Sequence, residues 1–431
     1  MRKYAGQRGL SKNGDFQNLD NRNIGILAFT GDEETLETGV TSFNKVLLQS
    51  LCRYNYHTHF TVYLSEKNAD RYSDLQYSNV TKIVLKKDFF TSKLLHFRYI
   101  KLTGIVAFCI FSMKNKHLAA ILNKFYDFSL PDADRLDAII YTVYGYLPFI
   151  PLFMRFNADI PLISVIHDIR HLIYSRMIGV DIYTRCLAVT SETVCVPSLF
   201  IRDQLAKRYE IPLSKISILF SIPDFTLFDR SSSENAPAIK NEYHLPEDFL
   251  FFPSTIVETK NHITLMKALK VLKDKGTIVH VILTGTMGYN HVFEDIKKAI
   301  CQLGLSEQIR HLGFVPDNDI AGIYRSATAL IMPTLGESFS IPIWEAFYLG
   351  TPVLSSNAFD MVEQVGEAGL FCDPTDINDI ADQIYKIWTD ADLRKELVKR
   401  GYERIKDLTL DTYAQKWQKL IEKTISKSRS Q

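Results

Sequence analysis

The stretch TALIMPTLGESFSIPIWEAFYLGTPVLSSN, residues 328–357, leaves few folds open to this chain. TALIMP is a short apolar run compatible with a buried strand, and Gly336, Glu337 and Ser338 follow it at once as a loop. Ser340 suits an N-cap and Pro342 the first helical turn. IWEAFYL is helix-compatible, and Gly350 fits the left-handed residue that closes a helix. TPVLSS then opens the next strand. A strand, loop, helix and strand in this order predict a parallel sheet. The backbone N–H groups of residues 339–342 are expected at its carboxyl end, where a phosphate is favoured.

Two carboxylates lie near that point, Glu337 in the loop and Glu345 in the helix, with seven residues between them. A carboxylate accepts two hydrogen bonds from neighbouring hydroxyls, so a pair flanking a phosphate pocket suits a nucleotide sugar. The plainer alternative makes Glu345 a complement to the helix dipole and Glu337 a solvated loop residue. The pattern E-x-F-x-x-P-x-x-E-A-x-x-x-G-x-P-V, read from Glu337 to Val353, resembles the E-x7-E signature of retaining glycosyltransferases of the GT-B fold, family 4. Ser338 and Ser340 stand where that family carries glycines.

With 431 residues the chain exceeds the size of a single core, roughly 250–300 residues, so two domains are expected. A 46% apolar and 23% charged composition is that of a globular protein, and a net charge of +1 argues against a dedicated nucleic-acid binder. The six cysteines form no C-x-x-C pair, as expected of reduced thiols in a cytoplasm. Residues 1–22 are polar and basic, without the apolar core of a signal peptide, and are expected to be a flexible tail.

In the first half, NIGILAFTG (23–31) and HFTVYLS (59–65) read as strands, with an amphipathic helix opening between them after Gly39. From Lys82 to Lys124 eight lysines and Arg98 face a single aspartate, around the apolar run LTGIVAFCIFSM (102–113). That run is shorter than the ~20 residues a membrane span needs. An apolar helix flanked by lysines can instead lie on an anionic membrane surface, and attachment of residues 82–124 to the inner face of the cell membrane is the expectation. PLISVIHDIRHL (161–172) reads as a strand whose end carries His167 and Asp168, a place from which His167 can donate to a substrate and Asp168 can orient it.

Residues 223–247, rich in Ser, Pro, Asn and charge, read as a linker. DFLFFPS then starts a second domain. Lys260 stands just ahead of the helix KNHITLMKALKVL, where its ammonium can reach a diphosphate. IRHLGFVPDNDIAGIYRSA (309–327) reads as a strand, a turn and a helix that Asp317 or Asn318 can cap.

The resemblance implies an α/β chain of GT-B architecture, two Rossmann-like domains whose parallel sheets face each other across a cleft. The domains expected are 23–222 for the acceptor and 248–405 for the nucleotide sugar, with 406–431 a helix that crosses back, Trp417 on its apolar face. It implies a retaining hexosyl transfer from a GDP- or UDP-sugar to a hydroxyl of a glycan or glycolipid in cell-surface polysaccharide assembly, with no metal or other cofactor. Glu337 and His167 would be catalytic. The donor would be held by Lys260, Glu345, Ser338, Phe339, Ser340, Ile341, Gly39, Val40, Phe314 and Val315. The same resemblance places Glu363 and Gly366 on a turn of E-V-x-G type, as structural residues. Other readings stay open: a glycoside hydrolase, a nucleotide-sugar epimerase of the same architecture, and a non-catalytic subunit that only binds nucleotide sugar.

Overall fold

The computed structural model describes residues 22–28, 39–55, 57–66, 69–85, 130–142, 160–169, 178–225, 228, 236–288 and 290–429. Its frame is two parallel sheets. The first contains β1 (Asn23–Leu27), β2 (His59–Ser65), β3 (Val80–Leu85), β4 (Ala138–Tyr141), β5 (Leu162–Val165), β6 (Thr193–Val196) and β7 (Ile216–Ile218), in the order β3-β2-β1-β4-β5-β6-β7. The second contains β8 (Leu250–Pro253), β9 (Val281–Thr284), β10 (Ile309–His311), β11 (Ala329–Met332), β12 (Val353–Ser356) and β13 (Gly369–Cys372), in the order β10-β9-β8-β11-β12-β13. Most central strands are buried along their whole length, as their unbroken apolar runs require of a sheet covered on both faces.

The helices, among the described residues, are α1 (Gly39–Tyr54), α2 (Ile178–Thr190), α3 (Leu199–Tyr209), α4 (Ala236–Glu242), α5 (His262–Asp274), α6 (Asn290–Gln302), α7 (Asp317–Ser326), α8 (Ile341–Leu349), α9 (Met361–Val365), α10 (Ile377–Thr389), α11 (Ala391–Ile405) and α12 (Leu410–Arg429). α12 lies on the first sheet's side, against α1. It seats Trp417, Leu420 and Ile421 in the core formed by β1, β2 and β5, and the Thr424 hydroxyl meets that of Thr193 at 2.7 Å. Fully buried, Trp417 anchors the end of the chain to the domain that begins it.

Three local expectations need correction. The presumed linker 223–247 contains α4, which packs on α7. The contact is close enough that a Cβ at Gly322 would fall 2.8 Å from Ile239, so this segment belongs with the second sheet. Asp317 lies inside α7, whose N-cap position is Pro316, without a side-chain cap. Gly39 is the first residue of α1 rather than part of a loop ahead of it.

The basic stretch 82–124 lies outside the described residues beyond Leu85, as does the run 102–113. Lys82 is on β3 and donates its ammonium to the Tyr72 carbonyl at 2.6 Å. No helix among the described residues is long and apolar enough to cross a membrane.

Candidate functional site

In the second sheet the chain runs outward from β8 through β9 to β10, then returns to lay β11 on the other side of β8. The loops after β8 and β11 therefore diverge from a topological switch point, the place where open parallel sheets bind ligands. Lys260 comes from the first loop and Glu337 from the second. Across a separation of 77 residues the Lys260 ammonium meets Glu337 Oε1 at 2.5 Å, with both side chains largely shielded from solvent. Glu337 Oε2 is buried and has no hydrogen-bond partner.

The two loops are fastened together. The Leu335 amide and the Thr334 hydroxyl both donate to the Thr259 carbonyl at 2.9 Å. Asn261, in the left-handed region at φ 65°, sends its side-chain amide to the carbonyls of Pro333 at 2.9 Å and Pro374 at 2.7 Å. A buried asparagine with positive φ that ties three loops was not anticipated as a site residue; its pairing with Lys260 in K-N was the available signal. The neighbouring loop after β9 also comes close. Gly285 adopts φ +118°, and a Cβ there would lie 2.3 Å from the Ser254 carbonyl oxygen, so a side chain would push the loops apart.

α8 follows Glu337 and carries Glu345 in its second turn. The Tyr324 hydroxyl, from α7, donates to Glu345 Oε2 at 2.7 Å. Burial and the adjacent carboxylate hold that phenol well above its ordinary range, so it stays a donor. The α8 N-terminus departs from expectation in two ways. Ser340 occupies the N-cap position but its hydroxyl bonds to nothing and is buried. Its N–H instead goes to Gln364 Oε1 at 2.9 Å. Pro342 has no N–H. Among the described residues, the Phe339 and Ile341 amides have no hydrogen-bond partner.

Other expected residues scatter. Phe314 is 65% exposed, whereas the Val315 side chain is buried in the second domain's core and can offer a ligand only its backbone. Gly39 and Val40 open α1, and the Val40 side chain lies outside the described residues. His167 follows β5 and packs edge-on against Phe43 at 4.5 Å. Its Nε2 meets the Thr142 carbonyl at 3.4 Å, and burial pushes its pKa down to about 4. The ring is neutral near pH 7. His262 is also kept neutral, pushed down to about 3 by burial and by the nearby Lys260, and it stacks on Phe252 as a packing residue.

Asp168 adds a favourable charge beside the His167 ring, though less than burial removes. Its Oδ1 accepts from the Ser338 hydroxyl at 2.7 Å, joining the first domain to the loop that carries Glu337. A second interdomain contact involves α9. Glu363 Oε2 accepts from the Leu199 N–H at 2.9 Å, at the start of α3, and Phe359 meets Phe200 edge-on at 5.2 Å. Glu363 thus serves the interface between domains.

Beside it Asp360 is buried, which pushes its pKa up to about 7 against the pull of the Ser198 hydroxyl, with Glu363 and Asp168 adding like charge. The ordinary carboxyl value is about 3.9, so the assembled contact favours the protonated form. Its contribution is complete below about pH 4 and is lost as pH rises through about 7. The two domains should separate more readily at about pH 8 than at about pH 6. In Asp360→Asn that dependence should flatten, as read by small-angle scattering across this range. A wild-type dependence unchanged in the variant would exclude Asp360 as its source.

Residues 235–404 match the family model described as glycosyl transferases group 1. The O-antigen chain mannosyltransferase B of Escherichia coli is 27% identical over 222 residues, 51% of this chain and 58% of that protein. The serotype-specific mannosyltransferase WbdA of Escherichia coli is 27% identical over 175 residues, 40% of this chain and 21% of the relative. The O-antigen chain mannosyltransferase RfbU of Salmonella typhimurium is 24% identical over 259 residues, 56% of this chain and 69% of the relative. The match thus spans little over half of the first of these relatives and about a fifth of the second. In architecture the chain is similar to Anabaena Alr3699/HepE, solved with UDP and glucose, at TM-score 0.70 and 15% identity over 94% of this chain and 100% of that one. WaaG, a glycosyltransferase involved in lipopolysaccharide biosynthesis, superimposes at TM-score 0.63 and 13% identity over 92% of this chain and 99% of that one.

Proposed function

We propose that this chain, a member of the glycosyl transferases group 1 through residues 235–404 and of the GT-B fold throughout its two sheets, moves a hexosyl unit from a nucleotide diphosphate sugar to a hydroxyl of a glycan or glycolipid. The observation that carries the reading is the Lys260–Glu337 pair at the β8/β11 switch point, with Glu337 Oε2 buried and unpartnered. A donor entering here would exchange that pair for two better-matched contacts. Its diphosphate would draw the Lys260 ammonium, aided by the Phe339 and Ile341 amides. The sugar hydroxyls would take Glu337, and the ribose hydroxyls Glu345.

In the transfer the bond from the anomeric carbon to the diphosphate breaks and a bond to the acceptor oxygen forms. The acceptor's proton leaves with the nucleoside diphosphate or to solvent. Lys260 and the two amides would offset the charge growing on the leaving group, and Glu337 that on the anomeric carbon. We read the reaction as retaining and independent of a metal ion. The names of the mannosyltransferase relatives support a mannosyl donor and a role in surface polysaccharide assembly, with GDP- and UDP-sugars the donors to try first.

The test is release of nucleoside diphosphate from GDP-mannose and from UDP-hexoses, with and without a mannose-terminated acceptor and with a chelator present. The expected result is acceptor-dependent release unaffected by chelation, and a product with the donor's anomeric configuration. Conversion of donor without acceptor would point to an epimerase, and binding without turnover to a non-catalytic subunit; either would overturn the reading.

A further inference from the structure

Gln364 lies on α9, outside the loops that supply Lys260 and Glu337 and the helix that supplies Glu345, and is 2% exposed. Both ends of its side-chain amide are spent on one residue. Oε1 accepts from the Ser340 N–H at 2.9 Å and Nε2 donates to the Ser340 carbonyl at 2.6 Å. Two hydrogen bonds to the same backbone residue immobilise the peptide planes on either side of it. In a trans peptide the N–H points opposite to the C=O, so holding the Ser340 carbonyl toward Gln364 turns the Ile341 N–H away from it. That amide is one of the two left without a partner at the start of α8. The Gln364 clip therefore sets the direction of a donor that a phosphate would use.

α9 is itself held from behind. Arg404, on α11, donates to the carbonyls of Glu363 at 2.6 Å and Gln364 at 3.2 Å. On its other side Glu363 reaches α3 of the first domain. The clip therefore rests on a braced element and not on a loose side chain. Ser340 brings no cap of its own, its hydroxyl being buried without a partner. Gln364 supplies from a distance the restraint that an N-cap side chain would give.

We propose that Gln364 is a positioning residue for the donor phosphates, acting through the Ser340 peptide and never touching the substrate. The proposal rests on the nucleotide-sugar reading of the site, and its test separates the two. In Gln364→Glu the acceptor for the Ser340 N–H remains, but the ionised carboxylate cannot donate to the Ser340 carbonyl. Protonation restores the donor.

Affinity for UDP or GDP should fall at least about tenfold relative to wild type at about pH 8, and the ratio should close as pH falls through the range of the introduced carboxyl, which burial at this site raises above its ordinary value. A role confined to packing would not give a ratio that recovers on acidification. In Gln364→Leu, which loses both hydrogen bonds, amide hydrogen exchange should quicken at Ser340 and Ile343, whose N–H groups bond to Gln364 and to the Ser340 carbonyl, while the strands of the second sheet keep wild-type protection. Wild-type exchange at Ser340 and Ile343, faster exchange throughout the domain, or a Gln364→Glu affinity ratio that does not change with pH would each overturn the proposal. Should the wild type bind no nucleotide, the functional reading falls, and the exchange measurement still decides whether Gln364 orders this segment.

Discussion

Lys260→Met and Glu337→Gln, made singly, are each expected to lower sugar transfer at least about tenfold, with losses of about 10²-fold within reach if the charges act on the transition state. Both residues sit in an ion pair, so a purely structural role must be separated from a chemical one. Breaking a buried pair from one side leaves a charge without its partner, a cost of about 3 kcal/mol, at the low end for buried pairs because these side chains keep 14% and 13% of their exposure. Each single variant should therefore melt earlier as well as turn over more slowly. The double variant decides. Lys260→Met with Glu337→Gln removes both charges and should recover most of the lost stability, since neutral replacement of an ion pair is often close to neutral in free energy. Activity should stay as low as in the worse single variant. If the double variant regains near-native turnover along with its melting temperature, the pair is structural and the catalytic assignment of Glu337 is wrong.

The parts of this site legible in the sequence were those set by local pattern. β11, the loop and α8 follow from an apolar run, a glycine, a proline at the first turn and Gly350 at φ 74°. The strand alternation with helices likewise marked two parallel sheets, because strands buried on both faces cannot hide among polar residues. The Lys260–Glu337 contact was not legible, since it requires β11 to return beside β8 and nothing in either loop records that order. Ser340 misled for a related reason. N-cap preference is a local rule: the serine hydroxyl would accept from the second or third helical amide, but Pro342 has none and the Ile343 N–H goes to the Ser340 carbonyl. Asp168 was read beside His167 by adjacency, and the hydrogen bond it accepts from Ser338, 170 residues on, was not legible. α4 was obscured by composition, its short apolar side carried by Ile239 among Ser, Pro and Asn.

The second large effect concerns Glu345. Its Oε2 holds the Tyr324 hydroxyl, so alanine here would leave a buried phenol without its acceptor and lower stability by about 1–3 kcal/mol. That loss follows whether or not Glu345 meets a ligand. The functional loss is separate: a carboxylate accepting from two ribose hydroxyls makes charge-assisted hydrogen bonds of about 1.5–3 kcal/mol each, and one of them already corresponds to tenfold in affinity. Glu345→Gln retains an oxygen for Tyr324 and should keep the melting temperature, but it loses the charge and one acceptor. Its nucleotide affinity should lie between those of wild type and Glu345→Ala.

The central claim is that a nucleoside diphosphate is gripped at the start of α8, between Glu337 and Glu345. Calorimetric titration of wild type, Glu345→Gln and Glu345→Ala with UDP and GDP tests it most directly. The account expects one of the two nucleotides to bind the wild type, with affinity falling in steps to at least about tenfold weaker in the alanine variant. Equal affinity in all three proteins, or no binding of either nucleotide by a folded wild type, would contradict it.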